Sequence, residues 1–302
     1  MMRVSDSQFS SMMTRAMMNS NVEINRVAEQ IATGNKINSL SDDPAGSMKL
    51  LNLDKTISSA EQYSSNIANV QSKYTEYETY LMSFNDLTLE VHDLLLQANN
   101  GTISEESSAG IIAELESLRQ QALDTLNKKS DGIYIFSGTD VYSESIIVDD
   151  STDPMTYSFG GNTDHRSTKI SEDAAMTSNF TADEVLQGSL DFFTTLDAAI
   201  AELKNPTDNK NSILGNAIDS ADATQKSILN TVTILGANYN SLDRMAVNND
   251  DVALYAETVK TDINALDYAE ASVRLTQSMN TLQASQSVFA NVMGSSSLFD
   301  LI

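Results

Sequence analysis

The sequence predicts a mainly α protein with a small β insertion: a long antiparallel helical bundle and coiled coil formed by both chain ends, with a β-rich tip. Three observations predict it. Apolar residues step by four and three along most of the 302 residues. The period changes to two only between Asp131 and Ile170. The order is nearly palindromic, running seam helix, long helix, short helix, β insertion, short helix, long helix, seam helix, and the simplest folding of that order brings the two ends together.

The first helical stretch runs from about Ser7 to Thr33. Met13, Met17, Ser20, Ile24, Val27 and Ile31 make its stripe, and Gly34 reads as the residue that stops it. After a non-periodic stretch, Asp43 and Pro44 read as N-cap and first residue of a long helix. That helix carries Leu53, Ala60, Tyr63, Ile67, Val70, Tyr74, Tyr77, Leu81, Phe84, Val91, Leu95 and Ala98, and ends at Asn99-Asn100-Gly101. A shorter helix from about Glu105 to Lys129 turns Ile111, Leu115, Leu118, Ala122 and Leu126 to one side.

Ile133–Phe136, Ile146–Val148 and Met155–Phe159 read as strands, with Gly160-Gly161 and a polar run marking a hairpin connection to Arg166–Ile170. Helix resumes from about Thr181 to Lys204, with Leu190, Phe193, Leu196, Ile200 and Leu203 inward, until Asn205-Pro206 breaks it. A second long helix places Leu214, Ile218, Ala221, Ile228, Val232, Leu235, Tyr239 and Leu242 on its stripe and is expected to reach Asn248–Asp251. Helical pattern then continues to Met293, with Ala265, Tyr268, Leu275, Met279, Leu282, Phe289 and Met293 as a heptad seam.

This reading divides the chain into residues 1–40 paired with 262–302, a helical bundle of 41–132 and 183–261, and a β-rich outer part of 133–182. Leu275, Met279, Leu282 and Phe289 are expected to face the amino-terminal helix. Val273, Val288 and Val292, with Leu298-Phe299, are expected to meet other subunits.

Charge sharpens the division. The formal net charge is −24, yet residues 1–40 sum to +1 and residues 261–302 to −3, so −22 lies between. A charged middle reads as a solvated surface, and charge-poor ends with apolar stripes read as contact surfaces. A chain this acidic is expected to bind neither nucleic acid nor an anionic membrane. A secreted lipid-binding protein with amphipathic helices is the alternative of a different class, and the scarcity of Lys on the polar faces argues against it. No run of about 18 apolar residues and no cleaved signal are visible.

Catalytic chemistry has no foothold. With no cysteine there is neither a disulfide framework nor a thiolate. His92 and His165 have no ligand partner at metal spacing, and Asp149–Asp153 lacks the glycine and glutamate of a calcium loop. No cofactor or metal is expected, and the protein is read as not an enzyme. The two ends are expected to be mobile in the dilute monomer, since a lone seam has nothing to bury itself against.

Several motifs carry a family resemblance. Gln30-Ile31-Ala32-Thr33-Gly34-Asn35-Lys36-Ile37-Asn38-Ser39, followed by Asp42-Asp43-Pro44-Ala45-Gly46, resembles the amino-terminal signature of bacterial flagellins and their relatives. Ala265–Ala271 and the seam after it resemble the family's carboxy-terminal helix. Gly132–Thr139, with Tyr134, Phe136 and Gly138, resembles the members at the hook–filament junction more than flagellin itself, as does the ending Ser297–Leu301. Flagellins usually carry Arg where Lys36 stands, and Ile302 lengthens the usual ending.

The resemblance implies an extracellular structural component of the flagellum, exported unprocessed through the flagellar type III apparatus. It implies a ring-like layer of subunits acting as an adapter between the first hook-associated protein and flagellin, with an export chaperone on the carboxy-terminal segment. The flagellin filament subunit is the alternative within the family.

Overall fold

A computed structural model describes residues 2–100, 105–151 and 154–299, with side chains described for 7–100, 107–151 and 154–292. Among the described residues there are seven helices and three two-stranded antiparallel sheets. The chain forms two compact units, one of residues 1–59 with 251–302 and one of residues 60–250.

The first unit holds α1 (Met2–Thr33), the start of α2 (Pro44–Asn100), the end of α6 (Lys210–Asn264) and α7 (Tyr268–Phe299). Gly34 stops α1 in the left-handed region at φ +74°, its N–H still donating to the Gln30 carbonyl. Asp43 caps α2, accepting from the backbone N–H groups of Ala45 and Gly46 at 3.1 and 3.0 Å, and Pro44 follows at the position where a missing N–H costs nothing.

The second unit contains the main core. From α2 it takes Ile67, Val70, Tyr74, Tyr77, Leu81 and Phe84, all buried at the predicted four-three spacing. The one buried polar residue of that rhythm, Thr88, donates to the Phe84 carbonyl at 2.8 Å, so its hydroxyl enters the core satisfied. α3 (Glu105–Leu126) buries Ile111, Leu115, Leu118, Ala122 and Leu126, and α5 (Asp191–Lys204) buries Phe192, Phe193, Leu196, Ile200 and Leu203.

Five local expectations are corrected. The sheet pairing differs: β3 (Ile146–Asp149) pairs with β4 (Thr156–Phe159), whereas β5 (Ser167–Lys169) pairs with an unpredicted strand β6 (Ala175–Thr177). Gly160-Gly161 is therefore not a hairpin turn. Gly160 N–H donates to the Ser145 carbonyl, and Gly161 is pressed so closely on Ser137 that a Cβ there would lie 2.5 Å from its carbonyl oxygen.

Of Ile133–Phe136, only Ile133–Tyr134 forms a strand, β2, paired with β1 (Lys129–Ser130) across Asp131-Gly132, both at positive φ. Ile135 and Phe136 leave the ladder to enter the core. The helix expected from Thr181 is split. Thr181 and Glu184 form a reciprocal capping box for the one-turn α4 (Ala182–Val185), and Gln187 and Gly188, both at positive φ, turn the chain before α5.

Asn248-Asn249-Asp250-Asp251 does not end the second long helix, because α6 continues to Asn264. Asn249 is buried there and donates from its side-chain amide to the Ile170 carbonyl at 3.0 Å, a partner that removes its tendency to break helix. Finally, the stripe of α6 is corrected at alternate positions. Leu214, Ala221, Ile228, Leu235 and Leu242 are buried as expected, but Ala217, Thr224 and Thr231 are buried between them, while Ile218 and Val232 lie half-buried beside them and Tyr239 is exposed.

Candidate assembly surface of the terminal helices

α1 packs antiparallel against α7, and the connection between them begins as a backbone clamp. Lys36 N–H donates to the Asn264 carbonyl at 2.7 Å, Leu266 N–H to the Gly34 carbonyl at 3.2 Å, and Ile37 N–H to Asn264 Oδ1 at 2.9 Å. Asp267 then caps α7, accepting from Ala269 and Glu270 N–H.

The flagellin-like motif supplies this clamp. Asn38 and Ser39 N–H both donate to Asp42 Oδ2, at 3.1 and 2.9 Å, and Asn38 Oδ1 accepts from Thr33 Oγ1 at 3.0 Å. Burial works against the Asp42 carboxylate, but the N–H groups of Ser39 and Asn38 outweigh it and hold its pKa below the usual range. Gly34 is favoured by its positive φ, and the Tyr268 hydroxyl lies so close that a Cβ there, 2.9 Å away, would push it aside.

On α1, Val27 is buried and Met13, Met17, Ile24 and Ile31 are half-buried. On α7, Ala271 is buried and Leu275, Ser278, Leu282, Ser285, Phe289 and Val292 are half-buried, again at four-three spacing. The expected seam is thus corrected at alternate positions. Leu275, Leu282 and Phe289 belong to the packed face, but Met279 is 56 % exposed and Tyr268 55 %, with Ser278 and Ala271 turned inward instead. The side chains of Met293, Leu298 and Phe299 lie outside those described.

The outer faces are apolar as well. Met12, Met18 and Val22 on α1, and Val273 and Val288 on α7, are exposed. One charged cluster crosses the pair: Arg274 Nη2 donates to Glu23 Oε1 at 2.7 Å, and Arg26 Nη2 to the same oxygen at 2.9 Å. The hydrogen bond from Arg26 holds the Glu23 carboxyl below its ordinary pKa, against its burial, and Arg274 adds to the pull. In the sequence the one signal that points to this cluster is Arg274 itself, the lone cation of residues 261–302.

The second motif, Gly132–Thr139, lies in the other unit and is structural. Phe136 is buried edge-on against Tyr77, whose hydroxyl donates to the Ile135 carbonyl at 2.6 Å. Tyr134 is buried, with its hydroxyl 3.1 Å from Glu144 Oε1 and the Lys129 ammonium over its ring. Gly138, at φ +73°, sits so close to Asn162 that a Cβ would meet its carbonyl oxygen at 2.2 Å.

Among the described residues no group of three His, Cys, Asp or Glu side chains could hold a metal ion, and no helix is long and apolar enough to cross a membrane. His92 lies between two carboxylates, 3.2 Å from Asp93 and 3.4 Å from Asp222, and His165 lies 3.2 Å from Glu184.

Residues 4–140 match the model of the bacterial flagellin N-terminal helical region. The flagellar hook-associated protein 3 of Escherichia coli strain K12 is 26 % identical over 321 residues, covering 99 % of both chains. Its counterpart in Salmonella typhimurium is 23 % identical over 322 residues with the same coverage. A solved structure described as a flagellar hook-associated protein from Vibrio parahaemolyticus is 31 % identical, with a TM-score of 0.69, covering 74 % of this chain and 100 % of its own. The flagellar junction protein FlgL of Legionella pneumophila has the same fold, at 16 % identity, a TM-score of 0.58, and coverage of 72 % and 99 %. With that identity across the whole of the Vibrio chain, and a flagellin-type amino-terminal region, this chain belongs to the flagellar hook-associated protein family.

Proposed function

We propose that the protein is a structural component of the bacterial flagellum, the adapter that joins the hook to the flagellin filament, and that it has no catalytic role. The observation that carries this reading is the character of α1 and α7. They carry no net charge and are paired with each other, yet they leave Met12, Met18, Val22, Tyr268 and Met279 in solvent. Apolar side chains on two faces of a helix pair suit a subunit packed among others. The full-length likeness to hook-associated protein 3 supports the same role.

In this reading residues 1–40 and 262–302 form an inner axial layer, and self-association makes a ring-like layer. The first hook-associated protein lies on one side and flagellin on the other. The subunit works outside the cell, reached through the type III export route, and an export chaperone covers the carboxy-terminal segment beforehand. Residues 41–132 with 183–261, and 133–182, face outward. Deletion of the gene in its own host tests this. The expected result is bare hooks with unpolymerised filament protein in the medium, and normal filaments would refute it.

The flagellin-type amino-terminal match favours a second reading, a filament subunit. Polymerisation separates the two: a filament subunit grows long filaments alone from a seed, whereas an adapter stops after a layer.

A further inference from the structure

Arg274 is the one basic residue between positions 261 and 302. It sits at the α1–α7 contact, about one third exposed, bonded to Glu23. The rest of the α7 face is weakly committed. The stripe turned toward α1 is Ala271, Leu275, Ser278, Leu282, Ser285 and Phe289. A second stripe, Tyr268, Leu275, Met279, Leu282 and Phe289, shares three of those side chains, and its two other members are exposed. At ~100° per residue the centres of the two stripes lie roughly 40° apart around the helix.

Apolar burial alone favours the second stripe, because Met279 and Tyr268 would hide more apolar area than Ser278 and Ala271. The first stripe is the one packed. The clamp at Gly34–Leu266 and Lys36–Asn264 fixes where the two helices meet, but its hydrogen bonds all lie before the first residue of α7 and touch none of the side chains between Arg274 and Phe289. Arg274 lies on the Ser278 flank of the stripe, away from Met279. A roll that buried Met279 would carry the guanidinium off α1 and leave the Glu23 carboxylate with Arg26 alone. Polar pairs in otherwise apolar seams select one packing among near-equals.

We propose that the Glu23–Arg274 pair is the specificity-determining contact that sets the roll of α7. It keeps the serine-lined face against α1 and holds Met279 outward. Under the assembly reading that outward face is what a neighbouring subunit receives. The roll itself is a property of the isolated chain and can be read without a filament.

The chain has no cysteine, so single thiols can report the roll. Met279→Cys and Ser278→Cys are made separately in the full-length chain, and their rates with an aromatic disulfide reagent are compared. In the parent background the thiol at 279 reacts faster. With Arg274→Gln added, the ratio of the rate at 279 to that at 278 falls by about fivefold or more, and with Glu23→Arg and Arg274→Glu together it returns. An unchanged ratio in the Arg274→Gln background overturns the proposal, as does failure of the charge swap to restore it. Both thiols rising together to the rate of the urea-unfolded chain also overturns it, since the pair would then hold the helices together rather than set their roll.

Discussion

The side-chain amide of Asn249, buried within α6, donates to the backbone carbonyl of Ile170, the residue after strand β5. A polar residue deep in a long helix is thereby tied to a hairpin rather than to its own backbone. Asn249→Ala leaves that carbonyl without its partner and costs about 1–3 kcal/mol, read by urea unfolding. Amides of β5 and β6 exchange faster in the variant, while those of α3 do not.

Asp197 joins three elements. It accepts from Arg119 on α3 and from the Tyr157 hydroxyl on β4, and its side chain is almost wholly buried. Asp197→Ala strands the Arg119 guanidinium and costs roughly 3–5 kcal/mol, whereas Tyr157→Phe, which keeps the ring stacked on Phe193, costs about 1 kcal/mol. Thermal unfolding of the two variants checks the difference.

Burial pushes the Tyr77 hydroxyl up to about 12 from its ordinary 10. The folded chain holds this proton more tightly than the unfolded chain. Its contribution is therefore complete below pH 10 and is lost as pH climbs toward 12, by roughly 3 kcal/mol. Tyr77→Phe gives a chain whose stability falls less steeply over that window, measured by denaturant midpoints at pH 9 and 11.5. Equal slopes for the two chains would contradict the assignment.

Gly138→Ala adds a methyl group at positive φ against the Asn162 backbone. The conformational part alone costs about 1–3 kcal/mol, and the contact adds to it. A lowered thermal midpoint with unchanged α1–α7 pairing is the expected signature.

The two faces of α7 separate by mutation. Met279→Asp and Leu282→Asp both abolish assembly and leave the 60–250 unit folded. Leu282 is half-buried and Met279 exposed, so only Leu282→Asp also loosens α1 from α7 in the dilute chain. Hydrogen exchange reads this directly. In the parent chain the amides of α1 and α7 exchange faster than those of α2 around Tyr74–Phe84, because their seam is only partly covered.

Much of this was legible in the sequence. The stripe of α2 and the inward residues of α3 followed from periodicity, and Gly34, Asp43 and Pro44 followed from cap chemistry. On α6 and α7 the apolar rhythm pointed one residue too far at alternate positions. The reason is steric. Where Ala217, Thr224 and Thr231, or Ala271 and Ser278, lie on the packed face, the larger Ile218, Val232 and Met279 flank it, and hydrophobicity alone reads the flank as the centre. Pairing among short strands was equally hidden. β4 and β5 are both plausible neighbours by pattern, and their partners are chosen by distant contacts such as Tyr74 Oη with the Thr177 carbonyl.

The ties that hold the β5–β6 hairpin have one further property. Asn66, Tyr74 and Asn249 donate to the carbonyls of Lys169, Thr177 and Ile170, so the helices grip this hairpin by its main chain. A main-chain grip is blind to what side chain each strand residue carries. The solvent side of the hairpin can therefore change its chemistry freely, across strains or by design, while its seat on the helices stays the same.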